Sequence, residues 1–162
     1  MMELEAPDFS ALVDTLMNTQ MESMQAFLTP VLMLVLWTLV MWIWMYATRI
    51  PAMNKAKIDP NEARHPGTYG DRMPSNVRAV ADNYNHLHEQ PTIFYALMIF
   101  AALTGGAGST MLYLAFGYVG LRVLHSLVQV LSPNVVLRFM VFSINTIVLI
   151  VMAVLEAIRV FL

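Results

Sequence analysis

The sequence predicts an all-α integral membrane protein built as a single four-helix bundle. Three observations carry that reading. Of 162 residues, 58% are hydrophobic and only 12% charged. Mean hydropathy is +0.61. A soluble domain carries about twice that charge fraction, so soluble packing cannot hide this much apolar surface. Residues 23–48 form an uncharged run of 26, longer than the ~20 residues that cross a bilayer's hydrocarbon. Six of the nine Lys and Arg residues fall within 49–78, which marks one polar connection between apolar stretches.

Composition also excludes classes. With no cysteine there is no disulfide, no protein thiolate and no Cys-ligated metal. The four histidines lack a metal-ligand spacing: His86 and His88 lie two apart, on different faces of a helix. A formal net charge of −2 and no basic tract argue against nucleic acid as a partner.

Residues 1–22 hold Glu3, Glu5, Asp8, Asp14 and Glu22 and no Lys or Arg. They lack the positive start of a signal peptide. Phe9, Leu12, Val13, Leu16, Met24 and Phe27 recur near helical spacing. This acidic segment reads equally as an interfacial helix or as an early extension of the first span. The four-helix domain then occupies 23–162.

In the first span, 23–48, Pro30 sits early enough to bend the helix only slightly. Trp42, Trp44 and Tyr46 fit an interfacial aromatic belt. Met33, Met41 and Met45 read as adaptable packing. From Arg49 onward, Pro51, Pro60, Pro66, Gly67, Gly70 and Pro74 argue against a long regular element. GTYGD, residues 67–71, lacks the spacing of a nucleotide loop. Basic residues here and none before them place loop 49–75 in the cytoplasm and both termini outside.

Ser75 is positioned to cap a second helix over 76–103. Pro91 interrupts its polar start and frees a backbone carbonyl, which neighbours in a membrane bundle re-satisfy. GGAGS, residues 105–109, is an uncharged turn into a third helix over 110–131. Ser132, Pro133 and Asn134 turn the chain again, and a fourth helix runs from Asn134 to the end. Arg138 lies one turn inside it. Glu156 and Arg159 stand at i and i+3 and can pair.

The polar stretch DNYNHLHEQPTIFY, residues 82–95, leads straight into an apolar run. Asn85, Glu89, Arg122, His125 and Arg138 then fall on the loop half of the membrane, from three helices. Arg122, His125 and Gln129 stand at i, i+3 and i+7, on one helical face. An arginine stays protonated, presents five donors and grips carboxylates bidentately. Two readings stay open on the residues alone. One is a site for a small anionic peptide. The other is an Arg122–Glu89 ion pair that ties two helices together, with His125 as a packing histidine.

NYNHLHEQPTIFYAL resembles the second helix of the bacterial branch of the membrane-associated eicosanoid and glutathione metabolism superfamily, MAPEG. RVLHSLVQVLSPNVVLRF, Arg122 to Phe139, resembles the third- and fourth-helix signature of its prostaglandin E synthase-like members. The resemblance spans residues 31–162. It implies a homotrimer in a bacterial inner membrane, with glutathione held between adjacent subunits. It implies that Arg138 activates the thiolate, that Asn85 and Glu89 hold the tripeptide, and that Arg122, His125 and Gln129 line its site. The chain departs from the pattern at several points. Asn85 and Glu89 are four apart rather than three. Gln129 replaces a Tyr, and Phe139 and Phe142 stand for a Ser and a Tyr.

The function this implies is a membrane-bound glutathione transferase or peroxidase. It would act, without a metal, on a lipophilic small molecule arriving through membrane lipids. The alternative is a non-enzymatic accessory subunit of another membrane protein, or a lipid-binding scaffold, with a degenerate glutathione site. The lost Tyr and Ser positions favour that alternative.

Overall fold

The computed structural model describes residues 9–59, 61 and 70–162. Five helices follow in order: α1 Phe9–Lys55, α2 Ser75–His86, α3 Gln90–Leu103, α4 Ser109–Leu131 and α5 Val135–Phe161. A 3-10 turn at Gly70–Arg72 precedes α2. The protein is an all-α membrane-spanning bundle. α1, α4 and α5 are each long and apolar enough to cross a bilayer. α2 and α3 together take the place of the expected second helix.

That second helix is not continuous, contrary to the 76–103 expectation. α2 stops at His86, and Glu89 leaves helical geometry at φ −95° and ψ −97°. Pro91 then stands in the first turn of α3. A proline ring excludes the carbonyl four residues back, here Leu87, and offers no N–H to bridge the gap. At a helix start those defects cost nothing, because the first N–H groups have no intrahelical partner anyway. The chain therefore begins a new helix at Gln90, with Pro91 in its first turn.

α1 differs from expectation at its far end. It continues through Pro51 to Lys55, seven residues past the uncharged run. What ends it is a Schellman turn. Ile58 N–H donates to Met53 O at 3.1 Å and Lys57 N–H to Asn54 O at 3.2 Å. Lys57 takes the left-handed φ of 52° usually given to glycine in this motif. Ile58 then buries itself with Met73 and Val77, against Met53. Pro60, Arg64, Pro66, Gly67 and most of GTYGD lie outside the described residues.

At ~1.5 Å per residue, 47 residues make α1 about 70 Å long, more than twice the ~30 Å of hydrocarbon. Its first buried residue is Phe27. Residues 9–22 belong to the same helix as the first span; Glu3, Glu5 and Asp8 lie outside the described residues.

Ser75 is the first helical residue of α2 rather than its cap. Pro74 holds the cap position, and its carbonyl accepts from Val77 and Arg78. Asn134 does cap α5: its Oδ1 accepts from Leu137 N at 3.0 Å.

Phe94, Met98 and Ala101 of α3 pack at the centre with Leu34 and Met41 of α1, Ala115 and Tyr118 of α4 and Met152 of α5. Phe94 and Tyr118 stack with ring centroids 4.5 Å apart. Trp37 Nε1 donates to Ser126 Oγ at 3.2 Å, which ties α1 to α4. Outward-facing Val136, Phe139, Met140, Ile147 and Ile150 leave α5 with an apolar exterior. Lipid is as apolar as these side chains, so close packing and buried polar contacts must hold the helices together.

One such contact closes the end of the bundle remote from the basic loop. The expected Glu156–Arg159 pair forms, with Arg159 Nε to Glu156 Oε2 at 3.0 Å. Arg159 also reaches across to the α3 end, donating to Thr104 O at 3.0 Å and Thr104 Oγ1 at 2.6 Å. Gly106 is pressed so closely on this pair that a Cβ would lie 2.7 Å from both Glu156 carboxylate oxygens.

Candidate functional site

The break in the second helix creates the site's first feature. His86 is the last residue of α2, so its carbonyl is one of those a helix end leaves without an intrahelical partner. Glu89 N–H reaches it only at 3.4 Å. Arg122, fully buried on α4, donates Nη2 to it at 2.6 Å. A guanidinium there satisfies an orphan acceptor and faces the negative end of the helix dipole. The Arg122–Glu89 ion pair, one of the two readings the residues left open, is not the contact Arg122 makes. Arg122 binds the His86 backbone, and Glu89 Oε2 lies 2.7 Å from His86 Nδ1. Arg122 Nε and Nη1 find no partner within the single chain.

α4 presents Arg122, His125, Ser126 and Gln129 on its buried face, as the 3.6-residue period requires. Gln129 Oε1 accepts from Asn83 Nδ2 at 3.1 Å. Asn83, two residues before Asn85, is the asparagine turned into the bundle; Asn85 is exposed. Two residues are about 200° around a helix axis, so one faces in and the other out. Asn83 Oδ1 is buried and unpartnered.

Two adjoining cavities open over these residues. A cleft of about 360 Å³ lies between the start of α2 and the α4–α5 turn, lined by Asn76, Ala79, Gln129, Ser132, Asn134 and Arg138 among others. A second cavity of about 190 Å³ is lined by His86, His125, Val135, Arg138, Phe139 and Phe142. Arg138, half-buried, borders both. Phe142 packs against both histidines: its ring centroid lies 5.7 Å from that of His125 and 6.2 Å from that of His86, whose own rings are 6.0 Å apart. The same ring lies 5.9 Å from the Arg122 guanidinium carbon.

Arg138, His125 and Gln129 thus come together from two helices, with Arg122 behind them. Glu89 reaches the group through His86. Within one chain Asn85 stays outside it. Asn83 and His86 belong to the cluster although sequence reasoning passed over them. Both stand in the polar stretch before Pro91, but only the helix rotation tells which of its side chains point inward.

Arg138 and amide groups line the cleft, and Phe139 and Phe142 line the second cavity. That arrangement suits an anionic polar ligand lying beside an apolar one. The fold and site define a class: a membrane-spanning helical bundle with a buried cationic seam at the foot of its last two helices. The chain belongs to the MAPEG family, whose family model matches residues 27–158. The match begins at Phe27, where α1 first becomes buried. No curated protein and no solved structure matches the chain.

Proposed function

We propose that the protein is a membrane-bound glutathione transferase or peroxidase acting on lipophilic electrophiles. The observation that carries this reading is the position of Arg138. It borders both the polar cleft and the phenylalanine-lined cavity, so one cation faces both co-substrates. The donor set fits the tripeptide. Asn76, Gln129 and Asn134 line the cleft and are suited to its carboxylates. At about 360 Å³ the cleft falls in the size range of small-ligand sites. Arg138 stabilises the thiolate, the form that attacks. Phe139, 65% exposed on α5, forms an apolar entrance for an electrophile leaving the lipid.

The working unit is a homotrimer with ligand between subunits, in a bacterial inner membrane, with the basic loop cytoplasmic and both termini outside. One observation supports the shared site: Asn85 is exposed on α2. Arg122, His125, Gln129, Glu89 and a neighbour's Asn85 then complete the tripeptide site. The test is glutathione binding in mild detergent, with ultraviolet absorbance of the thiolate and native mass measurement. Three chains, bound glutathione and a thiolate band are the expected result.

A second reading has its own support. Phe139 and Phe142 bring no hydroxyl to the cavity, as in an accessory subunit or lipid-binding scaffold whose site has decayed. Absence of binding and of any thiolate band decides for it.

A further inference from the structure

Far from the Arg138 cavities, the first turns of α1 carry an unexplained set of thioethers. Residues 17–25 read MNTQMESMQ, and methionine is the only apolar residue among them. A stripe that served only as apolar surface would take leucine as readily, since the two exchange at little cost. Met17, Met21 and Met24 are 58%, 55% and 39% exposed. All three precede Phe27, the first buried residue of α1, so no core claims them. They stand at i, i+4 and i+7 on an unbroken helix, within about 60° of arc at 100° per residue. Met21 is neighbour to both others, with Cβ atoms ~5–6 Å apart. It lines a groove of about 550 Å³ with Met24 and Gln25, among others. Three rotatable bonds let a methionine sulfur swing toward a shared point. The hydroxyls between them are engaged elsewhere: Thr19 donates to Thr15 O and Ser23 to Gln20 O.

We propose that Met17, Met21 and Met24 form a thioether site for a soft monovalent metal cation of the Cu(I) class. Thioether sulfur is neutral and polarisable, and it selects Cu(I) over harder ions. Calcium and magnesium demand oxygen ligands, and zinc takes thiolate, imidazole or carboxylate. The surrounding charge favours any cation. Residues 1–22 hold five carboxylates, and no Lys or Arg occurs before Arg49, so the local field draws positive ions in. Asn18, Gln20, Glu22 and Gln25 alternate with the methionines, which keeps this length of helix on the aqueous side of the hydrocarbon. Met21, adjacent to both partners, is the shared ligand. The site is independent of the glutathione reading, because it uses none of the residues that line the two cavities beside Arg138.

The test uses the full chain in detergent and chloride-free buffer, with Ag(I) as a probe that has the chemistry of Cu(I) and needs no reductant. Native mass measurement counts bound ions, and methionine methyl resonances report which sulfurs bind. The methyl signals of Met17, Met21 and Met24, each identified by its loss in a single leucine variant, should move together on titration. Met21→Leu should weaken binding about tenfold or more, since even a supporting contact is worth that much to a metal site. The triple variant Met17→Leu, Met21→Leu, Met24→Leu should bind one Ag(I) fewer than the parent. Leucine keeps the volume and the helix propensity, so the loss reads sulfur rather than folding. Met140→Leu is the control: Met140 is as exposed, at 55%, but stands alone on α5, and its loss should leave this ion bound. Cu(I) under ascorbate should displace the Ag(I), and Zn(II) should not. A triple variant that binds Ag(I) in the same number and as tightly as the parent, methyl signals that stay still, or displacement by Zn(II) overturns the assignment.

Discussion

Adding one methyl group at Gly106 tests how the far end of the bundle is held. The Gly106 Cα packs against the carboxylate of Glu156, which is 3% exposed and held by Arg159 and Thr104. A Cβ would sit 2.7 Å from both carboxylate oxygens and 2.9 Å from Arg159 Nε. Ordinary contact begins near 3.4 Å, so the Glu156 carboxylate must retreat by about 0.7 Å, out of its bond to Thr104. Forcing a methyl into a filled site costs about 1–3 kcal/mol. Gly106 has no positive φ among the glycines that do, so no backbone strain adds to this. Gly106→Ala should therefore lower the thermal midpoint in detergent by several degrees, roughly 2–4 °C per kcal/mol at this chain length. Gly108→Ala is the control, because its Cβ meets nothing within 4 Å. In a Glu156→Ala background the Gly106→Ala penalty should largely vanish, a coupling that a double-mutant cycle reads directly. Tryptophan fluorescence melts of the four proteins provide the measurement. A parent-like melt for Gly106→Ala, or full additivity with Glu156→Ala, would refute the steric argument.

Three further outcomes are expected. In the proposed trimeric glutathione enzyme, Arg138→Ala should keep the assembly and most glutathione binding but lower turnover about a hundredfold, as loss of one electrostatic stabiliser does; Arg138→Lys should recover part of it, and unchanged thiolate absorbance in Arg138→Ala would remove the residue from this role. Lys57→Gly should raise the thermal midpoint, because a side chain in left-handed geometry, φ 52° here, costs about 1–2 kcal/mol that glycine does not incur; a lower midpoint would show that the Schellman turn does not carry that strain. A thiol probe introduced at Lys57 should label from the cytoplasmic face of sealed vesicles, and probes at Glu3 and Leu162 from the opposite face; reversed labelling would sink the orientation drawn from the basic loop.

Membrane residence and the all-α fold were legible in the amino-acid order. Hydrocarbon demands apolar side chains and a backbone that satisfies itself, and both demands are local. The i, i+3, i+7 spacing of Arg122, His125 and Gln129 likewise showed their common face, since helix periodicity is a property of one segment. The Glu156–Arg159 pair was readable for the same reason. Pro91 announced a disturbance, but not that the second helix would stop at His86 and restart at Gln90. Nor did Pro51 reveal that α1 would run on to Lys55, because a lysine in the left-handed turn position replaces the glycine that usually signals an end. Partners across helices were beyond reach. Whether Asn83 or Asn85 turns inward depends on how α2 is rotated about its axis. Whether Arg122 meets the Glu89 carboxylate or the His86 carbonyl depends on depth and on where the joint falls. Those are set by packing α2, α4 and α5 together, which brings residues over thirty positions apart into contact. Only the tertiary structure decides them, because no local rule of spacing carries that information.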